Sequence, residues 1–362
     1  MVKNANLHKA KGAKNDEFYT QLTDISKELM HYKQHFKDKV VFCNCDDPTW
    51  SSFWKYFHLN FKAIGLKKLI STHYDKGNPT YKMEYMGGND NDIEIGVKTP
   101  LEGNGDFRNQ ECIDLLKESD IVVTNPPFSL FKEYLAQLME YHKKFIIIGN
   151  VNAISYKESF HYLKNNEMWF GYGGNCTMTF RMPDYYELKG SAFIGEDGHK
   201  YIKMGSCAWY TNLDIQKRHE KIILWKTYND IDFPKYDNYD AINVDKTNEI
   251  PCDYTGIMGV PISFLDYFCP EQFIIVGLSS KDGGTEIPRF HSNEYYNGYT
   301  RGKVVTGMES NMPILNVPGK GGTLCKKDGC KDLYQLYWRI FIKYTSEYIK
   351  CHPENFKKEE NQ

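Results

Sequence analysis

The first 150 residues alternate short apolar runs with stretches in which apolar residues recur at helical spacing. The apolar runs have the length of buried strands and comprise Lys39–Cys43, Lys68–Thr72, Asp120–Thr124 and Phe145–Gly149. The helical stretches lie at about Leu22–Phe36, Ser51–Leu66, Gln110–Lys117 and Leu130–Tyr141. Strands that alternate with helices at this spacing predict an α/β fold with a parallel sheet covered on both faces.

Two further patterns predict antiparallel hairpins. The first hairpin would consist of the strands Tyr81–Met86 and Ile93–Val97, joined by a turn at Gly87–Asp90. The strand-like segments Cys176–Phe180 and Cys207–Asn212 predict a second hairpin, which would extend the sheet.

The pattern changes near residue 215, where we place a domain boundary. Beyond it, short apolar runs alternate with Pro, Gly and Asn, without a long amphipathic helix before the last forty or so residues. Between Leu333 and Tyr348 the apolar positions fit both a strand and a helix, so this segment is left open.

Polar side chains lie at the ends of the predicted parallel strands. Asp46 and Asp47 follow the first strand, Asp75 follows the second, Asp106 precedes the third and Asn125 ends it. Ligands of such sheets bind beyond the carboxyl ends of the strands. A single acidic residue there is more often a helix cap or a solvated turn, but a series along one edge favours a binding site. Carboxylates and an adjacent aromatic ring suit an adenosyl cofactor.

The third strand runs directly into Asn125-Pro126-Pro127-Phe128. The prolines end strand pairing, fix φ near −65° and lack an N–H, so this elbow presents backbone carbonyls and the Asn125 amide. Two such acceptors can bind the hydrogens of a planar amine and stabilise the charge that develops as its nitrogen attacks. Phe128 offers a ring on which a base can stack. The alternative interpretation is a structural turn.

Charge does not by itself indicate a nucleic-acid partner, because the formal net charge is −2. The N-terminal residues 1–14 nevertheless contain only basic charges, among them Lys9, Lys11 and Lys14. They predict either an arm that lies along phosphates or a solvated terminus.

Composition excludes several classes of protein. No apolar run reaches the length of a membrane span, and the N-terminus lacks a signal sequence, so we expect a soluble, cytoplasmic protein. The ten cysteines show no repeating frame, which favours reduced thiols. Cys325 and Cys330 have no second Cys/His pair with ligand spacing, and we expect no metal.

These motifs resemble those of the EcoRI-type adenine-specific DNA methyltransferases. The likeness is carried by Asn15–Gln21, Val40–Pro48, the elbow, Trp209–Leu213, Asp253–Ile262 and Pro270–Phe273. The resemblance implies an S-adenosylmethionine-dependent class I methyltransferase, with a Rossmann-like, mostly parallel sheet and helices on both faces. It also implies a basic arm over 1–14, a catalytic domain over 15–215 and a C-terminal mixed α+β target-recognition region over 216–362.

The resemblance also implies roles for individual residues. The cofactor's methionine part would contact Phe18, Tyr19 and Thr20, and the loop that wraps the cofactor would be Cys45, Asp46, Asp47 and Pro48. The ribose would be bound by Asp75 and the cofactor adenine by Asp106 and Phe107. The catalytic residues would be Asn125, Pro126, Pro127 and Phe128.

The resemblance implies methylation of the N6 amino group of a flipped adenine in double-stranded DNA. It also implies a possible partner, a cognate restriction endonuclease that acts on the same site. We expect a monomer without membrane association. Two alternatives stay open. One is methylation of a protein glutamine or an RNA adenine, since the elbow would grip any planar amine; the other is a catalytically inactive DNA-binding module.

Overall fold

The computed structural model describes residues 19–75, 80–182, 186–280, 295–300, 303–305, 312–316, 324–326 and 333–356. Its α-helices are α1 (Leu22–Leu29), α2 (Lys33–Phe36), α3 (Ser52–Leu59), α4 (Phe61–Ile64), α5 (Gln110–Glu118), α6 (Phe131–Glu140), α7 (Lys157–Lys164), α8 (Ser346–Cys351) and α9 (Pro353–Phe356). Short 3-10 helices occupy Met30–Tyr32, Phe128–Leu130, Val151–Ser155, Gln216–His219, Thr247–Glu249 and Ile262–Tyr267.

The strands up to residue 211 are β1 (Tyr19–Thr20), β2 (Val40–Cys43), β3 (Lys68–Thr72), β4 (Tyr81–Tyr85), β5 (Val97–Pro100), β6 (Ile121–Thr124), β7 (Lys144–Asn150), β8 (Trp169–Arg181), β9 (Ala192–Ile194) and β10 (Lys200–Thr211). The later strands are β11 (Ile242–Asn243), β12 (Met258–Pro261), β13 (Phe273–Leu278), β14 (Tyr295–Thr300), β15 (Lys303–Val305), β16 (Ile314–Asn316), β17 (Leu324–Lys326), β18 (Leu333–Gln335) and β19 (Arg339–Tyr344).

The chain forms two compact units. The first comprises the chain up to Ala153 together with Met168–Ile215, and the second comprises Ile154–Glu167 and the chain from Gln216 onward. Assigning catalysis to one and target recognition to the other stays a prediction.

The first unit is built on a ten-stranded sheet with the order β1-β8-β10-β7-β6-β2-β3-β4-β5, in which β9 also pairs with β10. Its centre, β7-β6-β2-β3, is parallel. The flanking strands are antiparallel. The predicted α/β fold is therefore confirmed, with a parallel centre inside a mixed sheet, and the second hairpin is confirmed as β8 and β10.

The central strands are buried on both faces. On one face, alternate strand residues form a core cluster with α1 and α3 that includes Val41, Cys43, Ile121, Val123, Ile25, Leu29, Phe53 and Trp54. The residues between them, such as Phe42 and Val122, are also fully buried. Neither face of these strands meets solvent, which accounts for their continuous apolar sequence.

The first predicted hairpin forms with different bounds. Its second strand is Val97–Pro100, and Glu84 pairs with Val97, so the predicted strand Ile93–Val97 is wrong. Side chains of α3 take up the backbone carbonyls that this strand would have used. The Trp54 Nε1–H donates to the Ile93 carbonyl (2.9 Å), and His58 Nε2 lies 3.0 Å from the Ile95 carbonyl.

The second unit contains two smaller sheets, β11-β12-β19-β13 and β15-β14-β17-β18-β16. Its core cluster comprises Tyr236, Tyr239, Ala241, Leu315 and Phe341. The ambiguous segment Leu333–Tyr348 resolves into β18, β19 and the start of α8. Across the described residues, no helix combines the length and hydropathy needed to cross a membrane.

Candidate active site

The strand order reverses at β2. The chain passes from β2 to β3 on one side, and the later strand β6 pairs with β2 on the other side. Such a reversal separates the loops that follow the two strands and opens a crevice at the carboxyl edge of the sheet. The loop after β2 and the elbow after β6 therefore face each other where a ligand is expected.

The loop after β2 is tightly held. Cys45 has φ of 65°, and its N–H bonds to the side-chain oxygen of Asn44 (2.9 Å). The N–H of Asp46 donates to the Thr72 carbonyl (2.9 Å), and the Ser71 hydroxyl donates to the Asp46 carbonyl (2.5 Å). The end of β3 thus fixes the backbone of this loop.

The Asp46 carboxyl group points into the protein. It accepts hydrogen bonds from the Ser51 hydroxyl (3.1 Å), from the Thr124 hydroxyl and from the backbone N–H of Asn125. Burial raises the pKa of Asp46 to about 7; the hydrogen bonds oppose that rise, and the charge of Asp47 adds to it. Asp46 therefore joins the loop after β2 to the elbow after β6.

Asp47 has different partners. Its Oδ1 atom accepts from the Thr49 N–H (2.9 Å), the Thr49 hydroxyl (2.7 Å) and the Tyr81 hydroxyl (3.0 Å). Its Oδ2 atom lies 3.8 Å from His73 Nε2. Burial, and then the Asp47 charge, raise the pKa of Tyr81. Asp47 fixes the start of the turn that leads through buried Pro48 to Ser51, which caps α3.

The elbow begins directly at the end of β6. Asn125 is half-buried and its amide oxygen is fully buried; Pro126 is buried, whereas Pro127 and Phe128 are half-buried. The Phe128 ring meets the edge of Phe180 at 6.3 Å and packs on the core of the first unit. This packing restricts the movement of Asn125 and of the Pro126 carbonyl.

The remaining predicted residues lie along the same edge. Tyr19 and Thr20 pair with Arg181 and Phe180 at the end of β8, and β1 packs on α3. The Asp75 N–H donates to the Asn104 carbonyl (3.1 Å). Gly105, with φ of 71°, passes so close to the loop after β3 that an added Cβ would lie 1.9 Å from the His73 carbonyl oxygen.

Asp106 and Phe107 are both committed to protein contacts. Arg108 donates to both carboxylate oxygens of Asp106, at 2.8 Å and 2.7 Å. Phe107 is 4% exposed, and its ring meets the edge of Tyr134 at 5.0 Å. The predicted Phe18, Lys9, Lys11 and Lys14 lie outside the described residues.

Some buried polar atoms at the carboxyl edge of the sheet have no hydrogen-bond partner, which bears on whether this edge binds a polar ligand. Among the described residues, Thr20 Oγ1, Asn44 Nδ2 and His73 Nδ1 are buried and have no hydrogen-bond partner in the protein. A buried polar group without a partner is costly, so such groups call for an explanation. A cofactor with carboxylate, amino and hydroxyl groups provides one, and the residues present fit it.

Four hydroxyl side chains that no sequence motif had indicated hold the loops together, namely those of Ser51, Ser71, Thr72 and Thr124. One signal was available. Ser71, Thr72 and Thr124 are polar residues at the last positions of otherwise apolar strands, where hydroxyl groups can reach the following loops.

Comparison with known proteins gives consistent matches over most of the chain. A family model described as adenine-specific methyltransferase EcoRI matches residues 6–344. The Type II methyltransferase M.EcoRI of Escherichia coli is 50% identical over 305 residues, which cover 78% of this chain and 94% of that protein. No solved structure matched the chain.

Two mycoplasma proteins are similar as well. The Type II methyltransferase M.MgeORF184P of Mycoplasma genitalium is 40% identical over 277 residues, which cover 75% of this chain and 85% of that protein. The Type II methyltransferase M.MpnI of Mycoplasma pneumoniae is 40% identical over 275 residues, with 75% and 84% covered.

Proposed function

The chain belongs to the EcoRI family of adenine-specific methyltransferases, and from that premise we propose that it methylates the N6 amino group of a specific adenine in duplex DNA. The resemblance seen in the motifs is thus confirmed, and the protein is an adenine-specific DNA methyltransferase. This argues against the alternative of an inactive DNA-binding module.

The observation that carries the proposal is the position of the elbow. Asn125 and Pro126 follow β6 at the reversal of strand order, and Asp46 ties them to the loop after β2. The exocyclic nitrogen of adenine is a poor nucleophile, because its lone pair is delocalised into the ring. Asn125 Oδ1 and the Pro126 carbonyl each accept one of its hydrogens and stabilise the positive charge that develops on nitrogen. Phe128 supplies the ring on which the base stacks.

The methyl donor is S-adenosylmethionine, which supplies a methyl group bonded to a positively charged sulfur. In a class I, Rossmann-like arrangement, Phe18, Tyr19 and Thr20 would hold its methionine part, and the loop Cys45–Pro48 would surround it. Asp75 would bind the ribose, and Asp106 and Phe107 would border the adenine. Thr20 Oγ1, Asn44 Nδ2 and His73 Nδ1 would gain the partners that the protein does not give them.

Catalysis is mostly positioning. Holding two reactants in line can contribute about 7–11 kcal/mol, and the donor is already activated. The residues need only bind the amine and exclude water, and the methylated nitrogen loses its extra proton after transfer. No general base is required before the transfer step.

The adenine must leave the base stack to reach the elbow, at a cost of a few kcal/mol. We assign target recognition to residues 216–362 and phosphate contacts to the basic arm with Lys9, Lys11 and Lys14. One segment of the second unit supports this. In residues 222–228, Ile223 is 89% and Trp225 is 70% exposed, and Lys221 and Lys226 lie in or beside the segment. Exposed apolar side chains among basic ones suit a DNA surface.

The protein acts as a monomer and accompanies a restriction endonuclease of the same specificity. The names of the relatives, which are Type II methyltransferases, support the association with a restriction endonuclease.

The test is a methyl-transfer assay with labelled S-adenosylmethionine. Duplex DNA of mixed sequence, RNA of the same sequence and a glutamine-containing peptide are offered to the purified chain. The proposal predicts label in DNA alone, recovered as N6-methyladenine by mass spectrometry of the nucleosides. Label in RNA or peptide at an equal rate would contradict it, as would methylation of cytosine.

A further inference from the structure

The Asp46 carboxyl group lies at the junction of three elements. It accepts from Ser51, which also caps α3 by accepting from the N–H groups of Phe53 (3.1 Å) and Trp54 (3.2 Å). It also accepts from Thr124, the last residue of β6, and from the N–H of Asn125. Asp46 therefore links Ser51, the residue that caps α3, to Asn125 of the elbow.

The Thr124 hydroxyl is within hydrogen-bonding distance of two acceptors, the Asn44 carbonyl and Asp46 Oδ2. A hydroxyl has one hydrogen, so it cannot donate to both. When Asp46 is ionised, Thr124 donates to it, and the Asn125 N–H makes a charge-assisted bond. When Asp46 is protonated, its own O–H can donate to Thr124, which then donates to Asn44. The proton on Asp46 thus determines whether Thr124 donates to the Asp46 carboxyl group or to the Asn44 carbonyl, and whether the Asn125 N–H bonds to a charged or to a neutral acceptor.

We propose that Asp46 is a positioning residue for methyl transfer. As a carboxylate, Asp46 holds the Asn125–Pro126 elbow in its amine-binding geometry, and as a neutral acid it releases the elbow. The inference rests on the proposed function, because the elbow matters only if it grips the reacting amine. It gives Asp46 a role other than direct contact with the cofactor.

The surroundings of Asp46 make this exchange relevant near neutral pH. The titratable groups that face it are Asp47 and Cys43 on its own strand and loop, and Tyr134 on α6, which also faces Cys45. Burial raises the pKa of the Cys43 thiol and the Tyr134 phenol well above their usual values, so both stay neutral. His73 faces Asp47 instead. Burial raises the pKa of Asp46 to about 7, which lies in the working range.

The first test compares Asp46→Asn with wild type in single-turnover methylation of duplex DNA between pH 5.5 and 8.5, and measures S-adenosylmethionine affinity by calorimetry. For wild type, we expect the rate to fall by about tenfold for each pH unit below about 7. For Asp46→Asn, we expect a rate about 10- to 100-fold lower at pH 8, without that acidic limb. The dissociation constant for S-adenosylmethionine should change by less than about threefold.

The second test uses Thr124 as the matched position. Thr124→Ser keeps the hydroxyl and should retain the wild-type rate within about threefold as well as its acidic limb. Thr124→Val removes a hydrogen bond that lowers the pKa of Asp46, so its rate should fall and its acidic limb should move to higher pH. A merely structural role would lower the melting temperature of both Thr124 variants without altering the pH profile of the remaining activity.

Two outcomes would overturn the inference. One is an Asp46→Asn enzyme with an unchanged rate but much weaker cofactor binding, which would make Asp46 a cofactor ligand. The other is an acidic limb that persists in Asp46→Asn. In both cases wild type still produces N6-methyladenine in DNA; a wild type that does not would instead refute the proposed function.

Discussion

The elbow region of the first unit and the segment 222–228 of the second unit are both held by side-chain hydrogen bonds to the backbone, yet the first encloses a polar group and the second exposes apolar ones. At the elbow, the fixing groups surround a buried carboxyl, Asp46. In the segment, the Oε1 atom of buried Gln272 accepts from the Ile222 N–H (2.8 Å), and its amide donates to the Ile222 carbonyl (3.1 Å).

The other end of the segment is fixed in the same way. The Tyr228 N–H donates to Asp253 (2.7 Å), and the Lys226 carbonyl accepts from the Cys252 N–H (2.8 Å). Between these points, Ile223 and Trp225 face solvent. The elbow region therefore has a fixed polar geometry suited to methyl transfer, whereas the segment presents an apolar surface suited to binding DNA. Variants should separate the two, with losses in turnover at the first and in DNA affinity at the second.

The largest effect is expected for Asn125→Ala. Loss of one preorganised acceptor should lower turnover by about 100- to 1000-fold, since such groups act mainly on the transition state. Cofactor and DNA affinities, measured by calorimetry and fluorescence anisotropy, should stay within about threefold. Exposed Asn89→Ala is the control. Full activity of Asn125→Ala would remove the elbow from the chemistry.

The second effect concerns stability and tests the buried carboxyl. Because the pKa of Asp46 rises from 3.8 to about 7 on folding, the folded state holds the proton more tightly than the unfolded state. The free energy of unfolding should therefore fall as pH rises from about 4 to about 7, by up to about 4 kcal/mol from this group.

Asp46→Asn removes the cost of ionising a buried carboxyl group. By urea denaturation, it should therefore not be less stable than wild type at pH 8. The control is Asp114→Asn, at an exposed carboxylate of α5, which should change stability by less than about 0.5 kcal/mol. A strongly destabilised Asp46→Asn would mean that the ionised carboxylate is a net stabiliser of the fold.

The third effect is expected for Gln272→Leu. It leaves the part-buried N–H and carbonyl of Ile222 without these partners and should cost about 1–3 kcal/mol of unfolding free energy, with a loss of DNA affinity as the segment loosens. Gln216→Leu, at an exposed glutamine, is the control. Unchanged DNA binding in a destabilised Gln272→Leu would show that the segment's geometry is irrelevant to DNA.

The smallest effect is expected for Trp225→Ala. Its side chain is 70% exposed, so stability should hardly change, but DNA affinity should fall about tenfold if a base or sugar packs on the ring. Turnover at saturating DNA should be unaffected. Tyr156→Ala removes another exposed aromatic of the second unit and is the comparison. If Trp225→Ala alters self-association in ultracentrifugation and leaves DNA affinity intact, the segment binds protein.

Much of the first unit could be predicted from sequence. The strand Lys68–Thr72 forms with the predicted bounds, because a continuous apolar run leaves few other ways to bury its side chains. Asn125-Pro126-Pro127 ends β6, because proline cannot continue the pairing. The strand Ile93–Val97 failed, because Trp54 and His58, which lie more than 35 residues away, bind its carbonyls.

The amino-acid sequence by itself determined the parallel centre, the elbow and the family, since each depends on local periodicity or on a contiguous motif. Only the tertiary structure decided what Asp46 does. Its partner Thr124 lies 78 residues away, and the Asn44 carbonyl that competes for the same hydroxyl lies 80 residues from Thr124. The physical reason is that strand packing brings these groups together and removes water from them, and sequence spacing records neither the contact nor the burial that raises the pKa of Asp46.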